Sequence, residues 1–447
     1  MIDVEGSYQF LGFTDGFSIV LWAIILFYFV SSTFKKHKNK TYFKYYKTGF
    51  YVKFFSAIFF SIIYIQLYSG GDSTAYWDSA KKLNNLFWDS PIKYFHEMFT
   101  SDPERMRFNS FDFKTGLPPN WIYKEDEAWF AAKVYSILSF ITFRSYFAMT
   151  MITAFISFRV SWLLFEFILK YNVISERNAA IGTLFLPSTC FWCTGITKDM
   201  LIYSAVIYLL MQLFTFLNAS QFKAQRNWVL LILSLFLIIN IRDFMLIAAL
   251  GPFFMAIGAR LSQRQTSSFS KTFVQLIFIS VVLLAVFSFL GSSKGQEFAQ
   301  EAEIIQTDLK TNTNYGDNKY DLGISDFSTT GMLRAFPISI FTAFYRPFIW
   351  DGGSLFIRLS AIEAFLFLIL TLRFIFFSSF LQKIKEIRNN ELLMASIIFS
   401  LILGFFAGYT SGLFGVLVRF KAPLLPFLFL VLMYKKQNDL PKLESKL

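Results

Sequence analysis

The sequence predicts an all-α fold, a polytopic transmembrane helical bundle of about eleven spans. Composition, the recurrence of long apolar runs and the distribution of basic residues carry that expectation. Of the 447 residues, 55% are hydrophobic, 20% aromatic and only 16% charged, with mean hydropathy +0.48. Such a balance lies outside the ordinary globular range, and sixty Phe residues spread along the chain are too many for one soluble core. Apolar runs close to the roughly 20 residues that cross a bilayer as a helix recur from Phe17 to Tyr434. Period-two alternation, the mark of a membrane barrel, does not occur, so internal hydrogen bonding requires helices.

The expected spans are 18–34, 50–68, 145–169, 179–195, 197–218, 227–240, 242–260, 271–290, 354–378, 391–410 and 412–434. They form a single integral membrane domain over 1–447, with loops at 69–128 and 291–353. The net charge of +12 does not indicate nucleic acid, because the Lys and Arg residues sit in short connections rather than on one folded face. Segment 35–53 holds seven Lys and no acidic residue. Lys170 and Arg177, Lys223 and Arg226, Arg260, Arg264 and Lys271, and Lys383, Lys385 and Arg388 follow on the same side, with Lys435 and Lys436 in the tail. Segment 291–330, opposite, has seven Asp/Glu against three Lys. The positive-inside rule then places the N-terminus outside and the C-terminus in the cytoplasm. The first seventeen residues lack a basic start and a cleavage site, so the first span is expected to remain.

Two segments read as amphipathic helices lying along the outer surface. After Asp72, Tyr76, Ala80, Leu83 and Phe87 fall at helical spacing, and 129–143 is too short to cross comfortably. Stretch 331–345 reads as a third such helix or a re-entrant piece. The two cysteines, Cys190 and Cys193, sit in an apolar run and are expected as packed thiols. Together with two His they are too few for a disulfide framework or a typical zinc site.

Charge in hydrocarbon costs about 2.5–3.5 kcal/mol per residue at mid-depth on insertion scales. The conspicuous charges are therefore Asp72 in GGDSTAYW, Lys198 and Asp199 in TGITKDM, and Arg242 and Asp243 in NIRDF. Arg346 and Asp351 follow in YRPFIWDGG, then Arg419 and Lys421 in VRFKAPLLPF. With the topology above, all fall near outer helix ends. Each has a plainer role open to it: Asp72 as a helix cap, the Lys198–Asp199 and Arg242–Asp243 pairs as interfacial charges that neutralise each other, and Arg346 as a snorkelling side chain. Arg419 lies some two turns inside an apolar run and calls for a buried partner or a ligand. Trp77, Trp192 and Trp350 suit the interface belt or stacking on a sugar.

Outward Arg and Lys at headgroup depth suit a phosphate or pyrophosphate on a lipid carrier, since guanidinium forks bind its oxygens bidentately. A carboxylate beside it, Asp72, could take the proton of an acceptor hydroxyl. Neither a Walker-type nor a dinucleotide-binding glycine motif occurs, which argues against a nucleotide-driven mechanism.

In this order of elements the chain resembles the GT-C superfamily of integral-membrane glycosyltransferases that use polyprenyl-linked donors. The carriers of that resemblance are the span at 50–68, Asp72 opening an external loop, the two surface helices and the Arg-then-Pro segment RFKAPLLPF. It implies Asp72 as catalytic base and Arg419 near the donor phosphate, with Lys198, Asp199, Arg242, Asp243, Arg346, Tyr76 and Trp77 in the substrate site. An extra span precedes the one that should come first, and no second acidic motif of the metal-binding type is clear. The chain is also similar to envelope polysaccharide polymerases of the O-antigen type, in which Arg242, Arg346 and Arg419 would hold undecaprenyl pyrophosphate. The expected partners are a polyprenyl-linked saccharide and membrane lipid, at the outer face of a bacterial cytoplasmic membrane. No cofactor and no metal ligand is expected, though a divalent metal stays open. The rivals are a lipid-linked sugar transporter or flippase and a non-enzymatic assembly component.

Overall fold

The computed structural model describes residues 10–67, 70–100, 107–217, 227–311, 318–377 and 379–435. Lys223, Arg226 and Lys436 lie outside these, as do 101–106 and 312–317 of the expected external loops. Every regular element among the described residues is helical, and a lone β-bridge joins Lys319 to Leu413.

In chain order the helices are α1 (Phe13–His37), α2 (Lys44–Leu67), α3 (Gly71–Asp89), α4 (Pro91–Phe99), α5 (Arg107–Ser110), α6 (Asn120–Lys124) and α7 (Asp126–Ile141). Then come α8 (Tyr146–Tyr171), α9 (Glu176–Leu184), α10 (Pro187–Trp192), α11 (Lys198–Leu217), α12 (Trp228–Ile241), α13 (Phe244–Gln263) and α14 (Ser268–Leu290). The last are α15 (Ser293–Thr311), α16 (Thr329–Tyr345), α17 (Leu355–Phe376), α18 (Phe380–Arg388), α19 (Glu391–Thr410), α20 (Phe414–Phe420) and α21 (Leu425–Leu432). Nine stretches among the described residues are long and apolar enough to cross a membrane: Phe13–His37, Thr41–Leu67, Tyr146–Tyr171, Lys198–Leu217, Phe244–Gln263, Ser268–Leu290, Leu355–Phe376, Glu391–Thr410 and Phe414–Leu432. The chain is thus a multi-pass membrane protein by the length and apolarity of its helices.

Two expected spans depart from that pattern. Trp228–Ile241 is apolar but short. Stretch 179–195 is not one helix: α9 ends at Leu184, and Leu186 is extended before Pro187 opens α10. Proline lacks the N–H that a helix would need there and clashes with the preceding turn, so the break is written into the FLPST sequence.

Ties between helix ends sort onto two ends of the bundle. At one, Lys435 N donates to Val173 O at 3.1 Å, Gln275 Nε2 to Arg388 O at 3.1 Å, and Lys44 pairs with Glu176 at 2.8 Å. At the other, α3 and α7 pack side by side. They bury Tyr76, Ala80 and Leu83 of the expected stripe, with Phe87 partly buried, together with Trp129, Ala132 and Tyr135. Both cysteines are free and buried, as their apolar setting predicts.

Helices α16 and α19 approach through a G-x-x-x-G spacing. A Cβ on Gly404 would stand 2.8 Å from the Phe344 ring, and one on Gly408 only 2.0 Å from the carbonyl of Ser339. Small residues let membrane helices close to backbone contact. Gly408→Leu is expected to destabilise the protein by about 1–3 kcal/mol through overpacking, read as a lower thermal midpoint in detergent. Gly16→Ala, where a Cβ meets nothing within 4 Å, should leave that midpoint unchanged or slightly higher.

Candidate functional site

The site begins at a turn. Helix α2 ends at Leu67, and Gly70 and Gly71 take φ values of +103° and +51°, a region open to glycine at little cost. Gly70 N donates to Tyr64 O at 2.8 Å, folding the chain back over the end of α2. A Cβ on Gly70 would meet Thr74 Oγ1 at 2.2 Å. This turn sets Asp72 in the first turn of α3, where the helix dipole favours a negative charge.

Asp199 occupies the first turn of α11. Its position is fixed by Tyr135 of α7, whose hydroxyl donates to Thr197 O at 2.8 Å while accepting from Thr197 N at 2.9 Å. Arg242 is the residue that ends α12, and Arg419 lies on α20. These remote positions meet. Arg242 Nη1 donates to Asp199 Oδ1 at 2.8 Å, Arg419 Nε stands 3.8 Å from Asp199 Oδ2, and Arg419 Nη1 donates to Asp72 Oδ2 at 3.2 Å. The Arg242 guanidinium also lies 3.9 Å above the centre of the Phe420 ring. Tyr64 OH is 3.5 Å from Arg419 Nη1. Asp199 and Arg242 are sealed, with side chains 5% and 7% exposed, whereas Arg419 is 19% and Asp72 41% exposed. The ladder therefore runs from a dry Arg242–Asp199 rung to a wet Arg419–Asp72 rung.

The wet rung lines a cavity of about 450 Å³, walled also by Tyr64, Trp192, Asn318, Ile357 and Val416. Asn318 Oδ1 accepts from Ser354 N at 3.3 Å and so ties two of its wall segments together.

The remaining expected site residues are placed elsewhere. Lys198 turns outward to Glu125 and to Glu127, the latter at 3.3 Å. Arg346 lies over the rings of Tyr320 and Phe348, at 5.6 and 5.3 Å, with Asp351 at 3.9 Å. Its carbonyl accepts from Lys421 Nζ at 2.6 Å. Asp243 points away from the ladder, 3.8 Å from Lys294, into a second recess with Asp126, Glu127, Glu297 and Glu301. Trp77 is buried, donates its indole N–H to Arg144 O at 2.7 Å and stacks on Phe10, so it does not face the cavity. Tyr76 is buried against Tyr135 in the wall behind the ladder. Of the tryptophans near the charged segments, Trp192 alone is among the cavity walls described here; Trp350 stacks on Phe348 and is largely exposed.

Sequence reasoning passed over Tyr64, Glu125, Glu127 and Asn318. The Glu-Asp-Glu run at 125–127 was the available signal for a partner of Lys198. Glu363, a buried charge within α17, was also unread, and Lys53, counted among the seven lysines of the 35–53 connection, is instead buried within α2. Glu363 is the lone acidic residue of its apolar run.

Among the described residues no group of three or more His, Cys, Asp or Glu side chains is arranged to hold a metal ion. Loss of water raises the Glu127 carboxyl, with Lys198 and Arg242 opposing. The same effect raises Glu301, with Glu127, Glu125, Glu297 and Asp243 adding to it. No family model matches the chain, and no curated protein or solved structure does.

Two predictions follow from this charge arrangement. Arg242→Ala strips a buried carboxylate of its nearest cation and is expected to cost about 3–5 kcal/mol; Lys198→Ala, at a more open pair, should cost about 1 kcal/mol or less. Denaturation of the purified variants measures both. Glu127 and Glu301 hold their protons more tightly folded than unfolded. Their contribution to stability is therefore present at acid pH and lost as the pH rises from the ordinary Glu value through the raised one. The thermal midpoint of a Glu127→Gln/Glu301→Gln variant should fall less steeply over that interval than that of the parent.

Proposed function

We propose that the protein is a membrane glycosyltransferase acting at the outer face of a bacterial cytoplasmic membrane on a sugar carried by polyprenyl phosphate or pyrophosphate. The observation that carries this reading is the half-exposed Arg419–Asp72 pair in the wall of the cavity. A guanidinium there is a ready anion site, and its present partner is a carboxylate that a phosphate can displace. Asp199 stays behind Arg419 and keeps the guanidinium in place.

On this reading the lipid phosphate takes over Arg419 and releases Asp72. The acceptor hydroxyl oxygen then bonds to the anomeric carbon as the bond from that carbon to the phosphate oxygen breaks. The phosphate keeps the electron pair, stabilised by Arg419, and Asp72 takes the hydroxyl proton as general base. Trp192 belongs to the wall of the cavity in which the sugar would lie.

Lys-rich connections at the opposite end support the orientation, with the N-terminus outside and the C-terminus in the cytoplasm. The eleven-span count takes the nine long stretches, Trp228–Ile241 and the broken α9–α10 pair. Helices α3 and α7 then form an external shelf for the lipid-borne substrate. Arg419 in the cavity wall also suits a pyrophosphate, as an O-antigen-type polymerase would hold it. A flippase is favoured by a separate observation, the helix break at 185–187 beside buried charges, which is the build of many transport pathways.

The test is Asp72→Asn and Arg419→Ala, made separately and expressed at equal levels in the native host. Loss of the general base is expected to slow transfer about 10²–10⁴-fold, so that lipid-linked precursor accumulates on the outer leaflet while an envelope glycan is lost. Full glycan production in both variants removes the enzymatic reading. Precursor stranded on the inner leaflet would assign the chain to translocation instead.

A further inference from the structure

A second charge system lies inside the bundle, beneath the cavity and apart from the ladder. Glu363 belongs to the ninth position of α17, a helix of 22 residues, and is 6% exposed. Its carboxylate is held by one residue of the broken segment. Ser188 N donates to Oε1 at 3.3 Å, and the Ser188 hydroxyl bonds Oε2. The adjacent residue, Thr189, turns its carbonyl the other way and accepts from Lys53 Nζ at 3.3 Å. Lys53 is fully buried. Its other neighbours are Ser157 Oγ at 3.1 Å and the face of Tyr203 at 4.9 Å, all uncharged. Lys421 is buried and acts on Glu363 through space, but its ammonium is committed to the Arg346 carbonyl at 2.6 Å. Cys190 lies within electrostatic reach of both Lys53 and Glu363.

A charge at this depth needs a compensating partner, and an intramembrane carboxyl without a direct ion pair is a candidate for reversible neutralisation. Glu363 has no Lys or Arg nitrogen within 4 Å in any ion pair found among the described residues. Its partner is a hydroxyl, which can donate to a carboxylate or accept from a carboxylic acid. Both protonation states are thus hydrogen-bonded without rebuilding the site. Water is near. Ile357, six residues back on the same helix and hence about 9 Å along its axis, lines the cavity, as does Trp192, four residues past Ser188.

We propose that Glu363 is a proton-binding site in the interior of the membrane domain, exchanging its proton with the water of the overlying cavity. The groups facing it are Ser188 and Cys190 from α10, Lys421 from the turn after α20, and Lys53 from α2 across α10. The inference stands whether the cavity transfers or moves its lipid-linked substrate, because it rests on none of the ladder residues.

Infrared difference spectroscopy of the purified full chain, taken across the pH range in which it stays folded, reads the site directly. The expected result is a protonated-carboxyl C=O band that rises on acidification, shifts in D₂O, and is absent from Glu363→Gln. Glu363→Asp, which keeps a carboxyl, should keep the band. Ser188→Ala should move its frequency, a signature that an unprotonated, structural acceptor cannot give. Absence of any titrating carboxyl band that Glu363→Gln removes would overturn the proposal, and so would a band that does not shift in D₂O. Size-exclusion profiles matched to the parent establish that each variant is folded.

Discussion

Everything at the candidate site depends on the carboxylate of Asp199 answering two arginines at once. One oxygen holds Arg242 at 2.8 Å and the other faces Arg419 at 3.8 Å, so the consecutive helices α11 and α12 and the remote α20 share one charge centre. Two cations around one buried anion leave a surplus positive charge, and Asp72 takes it up from the open side. A buried ion pair returns little net stability compared with an apolar core, yet removing one member is severe. The ladder therefore acts mainly as a register device. With Asp199 fixed by the Tyr135–Thr197 contact, α12 and α20 can seat only where their guanidiniums reach it.

The gradient of exposure along the ladder gives it chemical direction. Arg242 and Asp199 are dry and satisfied, and Phe420 covers the Arg242 guanidinium. Arg419 and Asp72 meet water, where the attraction between them is screened and exchangeable. A ligand anion can compete for Arg419 without disturbing the rung beneath. Tyr64, eleven residues past Lys53 on the same helix, is the cavity residue nearest in sequence to it. Helix α2 thus carries a wall of the cavity and a buried ammonium below it.

The ladder was legible in the sequence because Asp72, Asp199 and Arg242 stand at the edges of apolar runs and Arg419 some two turns inside one, where a charge is costly and so conspicuous. Their shared end of the bundle followed from the alternation of spans. Which partner each would choose did not follow. Adjacent charges diverge: Asp199 faces inward while Lys198 faces Glu125 and Glu127, and Arg242 faces inward while Asp243 faces Lys294. Neighbours on a helix point about 100° apart, and Arg242 and Asp243 stand in the non-helical joint between α12 and α13, so a reading by segment cannot separate either pair. Trp77 was misleading for another reason. Helix α3 is buried without interruption from Ser73 to Ala80, so no amphipathic pattern distinguishes the face toward the cavity from the face toward Arg144. Stretch 179–195 has the length and apolarity of a span, and only Pro187 marked its break.

Glu363 and Lys53 show the complementary limit. Glu363 barely lowers the mean hydropathy of its run, which still reads as a span, and Lys53 reads as one more lysine of the basic 35–53 segment. Their significance appears only when α10 is seen to pass between them, with Ser188 on one carboxylate and the Thr189 carbonyl on one ammonium. The two charge systems are also joined mechanically at the end of α20. Arg419 serves the ladder and Lys421, two residues on, reaches the Arg346 carbonyl, with a 3-10 turn at Ala422–Leu424 directly after. A shift of that short helix large enough to free Arg419 from Asp72 would also move Lys421, whose charge reaches Glu363 only through space.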